Sequence, residues 1–254
     1  MKRPLFSFVV PVKGPRPFMD AALESLRLQG LGEELEVIVQ DADVEPDSGQ
    51  SDALNRGFAK ATGNWFFWLN ADDVLLPSAL KAVKELIDAR GTSVDWISGN
   101  TAYLDPDGRV TRCTEERGCK GGYEGLPVRT FGPSSFFRRE LLEKCGSFDA
   151  SLHYCMDTDL WCRFRAAGHW YAKLPRYVWG FRVHEASKTS GALSGDVPLK
   201  MQEEIRKIDA TYGTSHWRLR VARLRLRRLL DGSTFRSIRA TKRFRGKTWK
   251  EVVA

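Results

Sequence analysis

The chain has 254 residues, of which 42% are hydrophobic, and a formal net charge of +8. That size suits one large α/β domain, alone or with a short appendage, and the apolar content excludes disorder over most of the length. The positive charge is concentrated after His216, where Arg and Lys crowd together, and a basic tail of this kind calls for an anionic partner such as phosphate, lipid headgroups or nucleic acid.

Leu5–Val12 is a short apolar run closed by Pro and Gly and is expected to be a buried strand. Together with Met1-Lys2-Arg3 it imitates a signal peptide. The run is too short, however, and Pro11, Lys13 and Pro15 interrupt it without a small-residue cleavage site, so export is not expected. Arg16–Leu28 has a helical apolar face and is stopped by Gly30 and Gly32. Leu35–Val39 is a second strand, followed by a loop of Asp, Pro, Ser and Gly over 41–49. Ser51-Asp52 opens a helix that runs to about Ala61. Trp65–Leu69 is a third strand and delivers the chain into Asn70-Ala71-Asp72-Asp73. Pro77 opens the next helix, to about Ala89, because its missing N–H has no partner in a first turn anyway. Val94–Ile97 is a fourth strand.

The order βαβαβαβ implies a mostly parallel sheet with helices on both faces. Ligands in such sheets bind at the carboxyl ends of the strands. The loops after Val12, Val39 and Leu69 therefore converge on one crevice. The second half is less regular. Asp105-Pro106-Asp107-Gly108 signals a hairpin turn. Ser134–Phe137 and Tyr177–Val183 read as strands, and Arg139–Lys144, Asp157–Ala167, Pro198–Tyr212 and Trp217–Leu230 as helices. No stretch reaches the ~18 apolar residues of a membrane span. The five cysteines (113, 119, 145, 155 and 162) are odd in number and lack a CxxC pair, which argues against zinc. Reduced thiols of a cytosolic protein are expected, with a Cys113–Cys119 bridge as the alternative.

The acidic turn carries the first chemical signal. Mg²⁺ and Mn²⁺ prefer carboxylate oxygens and keep positions for water and substrate phosphates. An Asp at the end of a central strand supplies such a site, although Asp is also a favoured helix N-cap. Asp41, Asp43 and Asp47 follow the second strand, where acceptors suit a base or ribose hydroxyls; Asp is equally common in ordinary turns.

The run Asp47-Ser48-Gly49-Gln50-Ser51-Asp52-Ala53-Leu54-Asn55-Arg56-Gly57-Phe58, then Ala61-Thr62-Gly63, then Trp68-Leu69-Asn70-Ala71-Asp72-Asp73, resembles the family 2 glycosyltransferases of the GT-A fold. Phe8-Val9-Val10-Pro11-Val12, Phe148–Trp161 and Phe181-Arg182-Val183-His184 with Ser187-Lys188-Thr189 match as well, in family order across about residues 5–190. The resemblance implies a GT-A nucleotide-diphospho-sugar transferase fold: a mostly parallel mixed sheet flanked by helices, here with a C-terminal helical extension. It implies an inverting transfer from a nucleotide-sugar, a UDP-sugar, to an acceptor hydroxyl, with Mn²⁺ or Mg²⁺ as cofactor. Asp72 then falls on the metal-ligand position and His184 beside the metal or diphosphate. Pro11, Val12, Asp41, Asp43, Gln50, Asp52, Asn70 and Ala71 fall on the nucleotide and donor positions. Asp157 falls on the catalytic base, which a poorly nucleophilic sugar hydroxyl requires. Four positions depart from the commoner pattern: Lys13, Ala42, Asn70 in place of Asp, and Met156 in place of Glu.

The division expected is a catalytic domain over residues 1–212 and a basic helical extension over 213–254. Trp217–Leu230 combines a basic and an apolar face, which suits either an anionic membrane surface or docking on the domain. Bacterial relatives build surface polysaccharide or glycolipid on lipid-linked saccharide acceptors, so the location expected is cytoplasmic, at the inner face of the cell membrane. Two rival functions are weaker. A sugar-phosphate nucleotidyltransferase needs a glycine-rich phosphate loop, which Lys13-Gly14-Pro15-Arg16 only imitates. A nucleic-acid-binding protein leaves the first 190 residues unexplained, and nucleic acid is not an expected partner. A Rossmann dehydrogenase lacks its GxGxxG.

Overall fold

The computed structural model describes residues 3–116, 132–188, 197–212, 226 and 228–253. Eight strands form one sheet. They are β1 (Phe6–Val12), β2 (Leu35–Asp41), β3 (Trp65–Trp68), β4 (Val74–Leu75), β5 (Trp96–Leu104), β6 (Val110–Thr114), β7 (Ser135–Arg138) and β8 (Ala172–Arg182). The described helices are α1 (Met19–Arg27), α2 (Gln50–Lys60), α3 (Ala79–Arg90), α4 (Arg139–Cys145), α5 (Met156–Ala166), α6 (Leu199–Thr211) and α7 (Ser233–Phe244).

The strand order is β2-β1-β3-β7-β5-β8-β4, with β6 paired to β5. The sheet is mixed. β1 pairs in parallel with β2 and β3, and β5 with β8. β7 is antiparallel to both β3 and β5, and the β4–β8 and β5–β6 pairs are antiparallel too. The first three strands follow the expected parallel alternation. The fourth does not continue it, because β7 inserts between β3 and β5. That pairing spans about seventy residues of sequence, and a reading of local pattern has no access to it.

Side-chain alternation in β1 explains the packing. Phe6, Phe8, Val10 and Val12 point to the face covered by α1 and α3, while Val9 points to the face covered by α2. Gly57 lets α2 approach: a Cβ there would lie 2.4 Å from Val9 Cγ1. On the α2 side an aromatic cluster joins the sheet to α5, with Trp96 stacked on Trp161 at 4.8 Å between centroids and Trp68 on Trp161 at 6.1 Å. Such pairs add directional attraction to the area they bury.

Most of the expected tail helix lies outside the described residues, as does Cys119. Among the described residues no disulfide joins Cys113, Cys145, Cys155 and Cys162. Helix α7, within the expected basic helical extension but not delimited by the sequence pattern, lies along the outer edge of β6. The Cys113 and Glu115 N–H groups donate to Thr241 Oγ1 and Ser237 Oγ at 2.9 and 3.0 Å. Phe244, Trp249 and Val252 complete a cluster with Val74, Leu104 and Val110. The helix thus covers a strand edge that would otherwise present unpaired donors. Among the described residues no helix is long and apolar enough to cross a membrane.

Candidate active site

The carboxyl ends of β1 and β3, the loop leading into α2 and the start of α5 surround a crevice of about 800 Å³. Its volume is typical of small-molecule sites. Pro11, Val12, Gln50, Asn70, Ala71, Asp72, Asp157 and His184 all line it. Eight of the eleven residues picked from the sequence therefore converge on one cavity, from positions up to 173 residues apart in the chain.

The acidic turn is rigidly built. β3 ends at Trp68 and β4 begins at Val74, so the turn joins two strands. Asp73 therefore does not cap a helix; α3 starts only at Ala79, behind a left-handed Ser78. The Asp73 carboxylate is fully buried and accepts hydrogen bonds from Asn70 Nδ2 at 2.9 Å and the Arg182 N–H at 3.0 Å. Burial pushes its pKa well up, and the neighbouring Asp72 charge adds to the rise. Asn70 also accepts from Gln50 Nε2 at 2.8 Å. An amide can donate to Asp73 and accept from Gln50 at once, whereas an Asp at position 70 would set a second carboxylate against Asp73. The departure at this position follows from the turn's own hydrogen bonding.

Asp72 points the other way, into the crevice. Its Oδ2 lies 3.1 Å from His184 Nε2, and the His184 ring packs on Phe18 at 5.0 Å. The two residues come from opposite halves of the chain. Arg182, part of the matching Phe181–His184 run, does not line the crevice. It is 3% exposed, its Nε donates to the Asp72 carbonyl at 2.9 Å, and its Nη1 donates to the Pro106 carbonyl at 2.7 Å. It locks the acidic turn to the 105–109 hairpin.

The β2 side differs from expectation. Asp41 and Asp43 do not line the crevice themselves. Arg16 does, holding Asp41 bidentately at 2.6 and 3.1 Å and Asp43 at 2.8 Å. The guanidinium beside Asp41 holds its carboxyl below the usual range. Asp52 also stays out of the crevice: it accepts the Ser48 N–H at 2.9 Å and pairs with Arg56 at 3.2 Å. Asp47, the third Asp of the 41–49 loop, does line it.

Asp157 sits in the first turn of α5, half-buried on the crevice wall. Its Oδ1 accepts the Thr158 N–H at 2.6 Å and its Oδ2 the Gly132 N–H at 3.1 Å. Desolvation nevertheless pushes its pKa above the ordinary value, against those hydrogen bonds. Just before it, Met156 is buried, with its Sδ 3.1 Å from Ser51 Oγ. Sequence reasoning missed Arg16, Tyr154 and Met201, which line the same cavity. Of these only Arg16 carried a signal, as a charged residue beside the first strand.

A mixed sheet with this order, helices on both faces and a ligand crevice at the carboxyl ends of β1 and β3 defines the GT-A class of transferase folds. The comparisons agree with the resemblance in the motifs: residues 43–146 match the model of glycosyl transferase family 2. The chain is 24% identical over 227 residues to an uncharacterized glycosyltransferase of Rickettsia typhi, covering 75% of this chain and 68% of the relative. Its fold is similar to that of S. aureus TarS 1–349 solved in complex with UDP-GlcNAc, with a TM-score of 0.56, 15% identity and coverage of 81% of this chain and 65% of that one. It is also similar to a mannosyltransferase of Pyrobaculum calidifontis solved with GDP-Man and Mn²⁺, with a TM-score of 0.51, 20% identity and coverage of 73% and 59%. At these identities the likeness to the solved structures is one of fold, and the chain spans less than two thirds of the length of either solved chain.

Proposed function

We propose that this chain is an inverting glycosyltransferase that moves a sugar from a nucleoside-diphosphate donor, a UDP-sugar, to an acceptor hydroxyl. One observation carries the reading: a single crevice holds both the Asp72–His184 pair and a carboxylate, Asp157, whose pKa is raised by desolvation. A general base works best when its pKa approaches the working pH, so the shift suits the task. As the acceptor oxygen bonds to the anomeric carbon, Asp157 takes the hydroxyl proton. The bond to the diphosphate breaks with its electron pair leaving on UDP. Attack from the face opposite the leaving group inverts the centre. The UDP-GlcNAc bound to TarS supports the choice of nucleotide.

Asp72 and His184 are the residues that would hold Mn²⁺ or Mg²⁺. A carboxylate oxygen and an imidazole nitrogen 3.1 Å apart on a crevice wall fit a hard or borderline divalent ion. Among the described residues no third His, Cys, Asp or Glu joins them, which leaves positions for water and diphosphate oxygens. When bound, the ion neutralises charge developing on the departing diphosphate. Pro11, Val12, Gln50, Asn70 and Ala71 line the donor side, with Arg16 standing in front of Asp41 and Asp43.

The acceptor in this reading is a saccharide or lipid-linked saccharide of bacterial surface polysaccharide or glycolipid, glycosylated at the cytoplasmic face of the membrane. The outer side of α7 supports peripheral contact with anionic lipid. Phe235 and Ile238 are 63% and 50% exposed, beside exposed Arg239 and Lys242 on the same helical face. Phosphatidylglycerol vesicles should therefore cosediment the protein and phosphatidylcholine vesicles should not; equal recovery with both ends that part of the reading.

The central test uses purified protein with Mn²⁺ and UDP. UDP should raise the melting temperature, more so with Mn²⁺ than without, because ligand binding to the native state stabilises it. His184→Ala should weaken the Mn²⁺ dependence by at least about tenfold. Asp157→Asn should keep UDP binding and lose transfer. Normal transfer by that variant would remove the base assignment, and pyrophosphate release from UTP and a sugar phosphate would replace the reading with a nucleotidyltransferase.

A further inference from the structure

The segment immediately before α5 has an unusual anchor. Its three successive backbone N–H groups, at His153, Tyr154 and Cys155, all donate to one carboxylate, that of Glu204, at 2.7, 2.7 and 2.9 Å. Glu204 is 6% exposed and belongs to α6, about fifty residues further along the chain. The α5 N-cap, Cys155, makes no side-chain capping bond of its own. A helix start with unmet donors carries partial positive charge, and an anion placed there is held strongly. Here the anion comes from another helix. Ile208, one turn further along α6, packs on Cys155 and Cys162 and seats Glu204 against α5.

The carbonyl side of the same segment is held from the donor half of the molecule. Ser51 Oγ, in the first turn of α2, donates to the Leu152 carbonyl at 3.0 Å. One short stretch, 152–155, is therefore pinned on one side by α2 and on the other by α6. Asp157 follows two residues later, and Tyr154 within the stretch lines the crevice.

We propose that Glu204 is a positioning residue for Asp157: its carboxylate fixes the backbone from which the base is presented. The proposal rests on the reading of Asp157 as the base. Glu204 itself does not line the crevice, so its direct hold on the site is through the 153–155 backbone, with its charge also acting on the crevice-lining Lys188. A charged carboxylate offers enough lone pairs for three N–H donors, whereas the amide of Gln offers one oxygen and turns an NH₂ group against the remaining donor.

The test measures UDP release from UDP-glucose, UDP-galactose and UDP-GlcNAc in the presence of Mn²⁺, with UDP affinity and melting temperature determined in parallel. Glu204→Gln should lower kcat by about 100-fold, the effect of misplacing a reacting group by an ångström. UDP affinity and donor KM should stay within about twofold, since neither donor-side residues nor the acidic turn are touched. Glu204→Asp keeps the charge and should recover much of the loss. Ile208→Ala loosens α6 without removing the carboxylate; it should lower the melting temperature with a smaller change in kcat. Unchanged kcat in Glu204→Gln overturns the proposal. So does a fall in kcat matched by Ile208→Ala at equal loss of stability, which would make Glu204 a docking contact of α6. Full activity of Asp157→Asn would instead remove the base assignment, independently of how Glu204 behaves.

Discussion

Two carboxylate-bearing walls beside the crevice, one behind Arg16 and one at the start of α5, are built on opposite electrostatic principles. On the β2 wall, Asp41 and Asp43 are clamped by Arg16, and the guanidinium holds Asp41 below the usual carboxylate range. On the α5 wall, Asp157 has no cation within ion-pair distance among the described residues, and desolvation holds it above that range. The first pair is tied to Arg16 and fixes a loop. The second sits closer to neutrality and is suited to accept a proton. The same residue type is thus ion-paired on one wall and desolvated on the other, and environment alone makes the difference.

The contrast can be broken most sharply at Asp157. Asp157→Asn should lower turnover by about 10²–10⁴-fold, the usual range for a lost general base, with UDP affinity unchanged. A comparable fall in UDP affinity, measured by titration, would place the residue in donor binding instead. The pH profile of kcat tests the same point. A base with a raised pKa is active when deprotonated, so activity should fall as pH drops through that raised pKa. The acid limb should lie above 3.8, the ordinary Asp value. A limb at or below that value contradicts the desolvated setting.

Next in size is Gly132→Ala. The Gly132 N–H donates to Asp157 Oδ2, and a Cβ there would fall 1.9 Å from Trp68 Cζ2. The backbone must shift and carry the hydrogen bond with it, so kcat should drop by about 10- to 100-fold through misplacement. A variant with unchanged kcat would show that this N–H does not help to set the base.

On the other wall the effect should be smaller and of a different kind. Arg16→Ala should weaken UDP by about tenfold, read by titration, because the clamp opens and two unbalanced carboxylates are left beside the donor side. Turnover at saturating donor should be little changed. A kcat effect as large as that of Asp157→Asn would erase the distinction between the walls. Smallest in its effect on chemistry is Asn70→Asp, which places a second carboxylate against the buried Asp73. It should cost about 1–3 kcal/mol of stability, seen as a lower melting temperature. A neutral outcome would mean that the amide is not needed for the turn.

Much of this arrangement was legible in the sequence. The period-two apolar runs and the glycine and proline punctuation locate β1, β2, β3, α2 and α5, because local propensity and burial agree there. The acidic turn and Asp157 stand out because carboxylates at a strand end and a helix start have a chemical use. What remained hidden is non-local. The two-residue β4 is too short for a periodic signal and exists only through pairing with β8. Helix α7 has a basic pattern that reads as solvated until Ser237 and Thr241 meet the β6 edge.

By itself the sequence determined the fold class and a core set of eight crevice-lining residues, since burial patterns and motif chemistry are written in neighbouring residues. Only the tertiary structure decided which carboxylates are ion-paired and which are desolvated. Arg16 lies 25 residues from Asp41, and Glu204 lies about fifty residues from the backbone it holds. A carboxylate's charge state depends on the cations, donors and solvent around it, and those are set by contacts that chain order does not reveal.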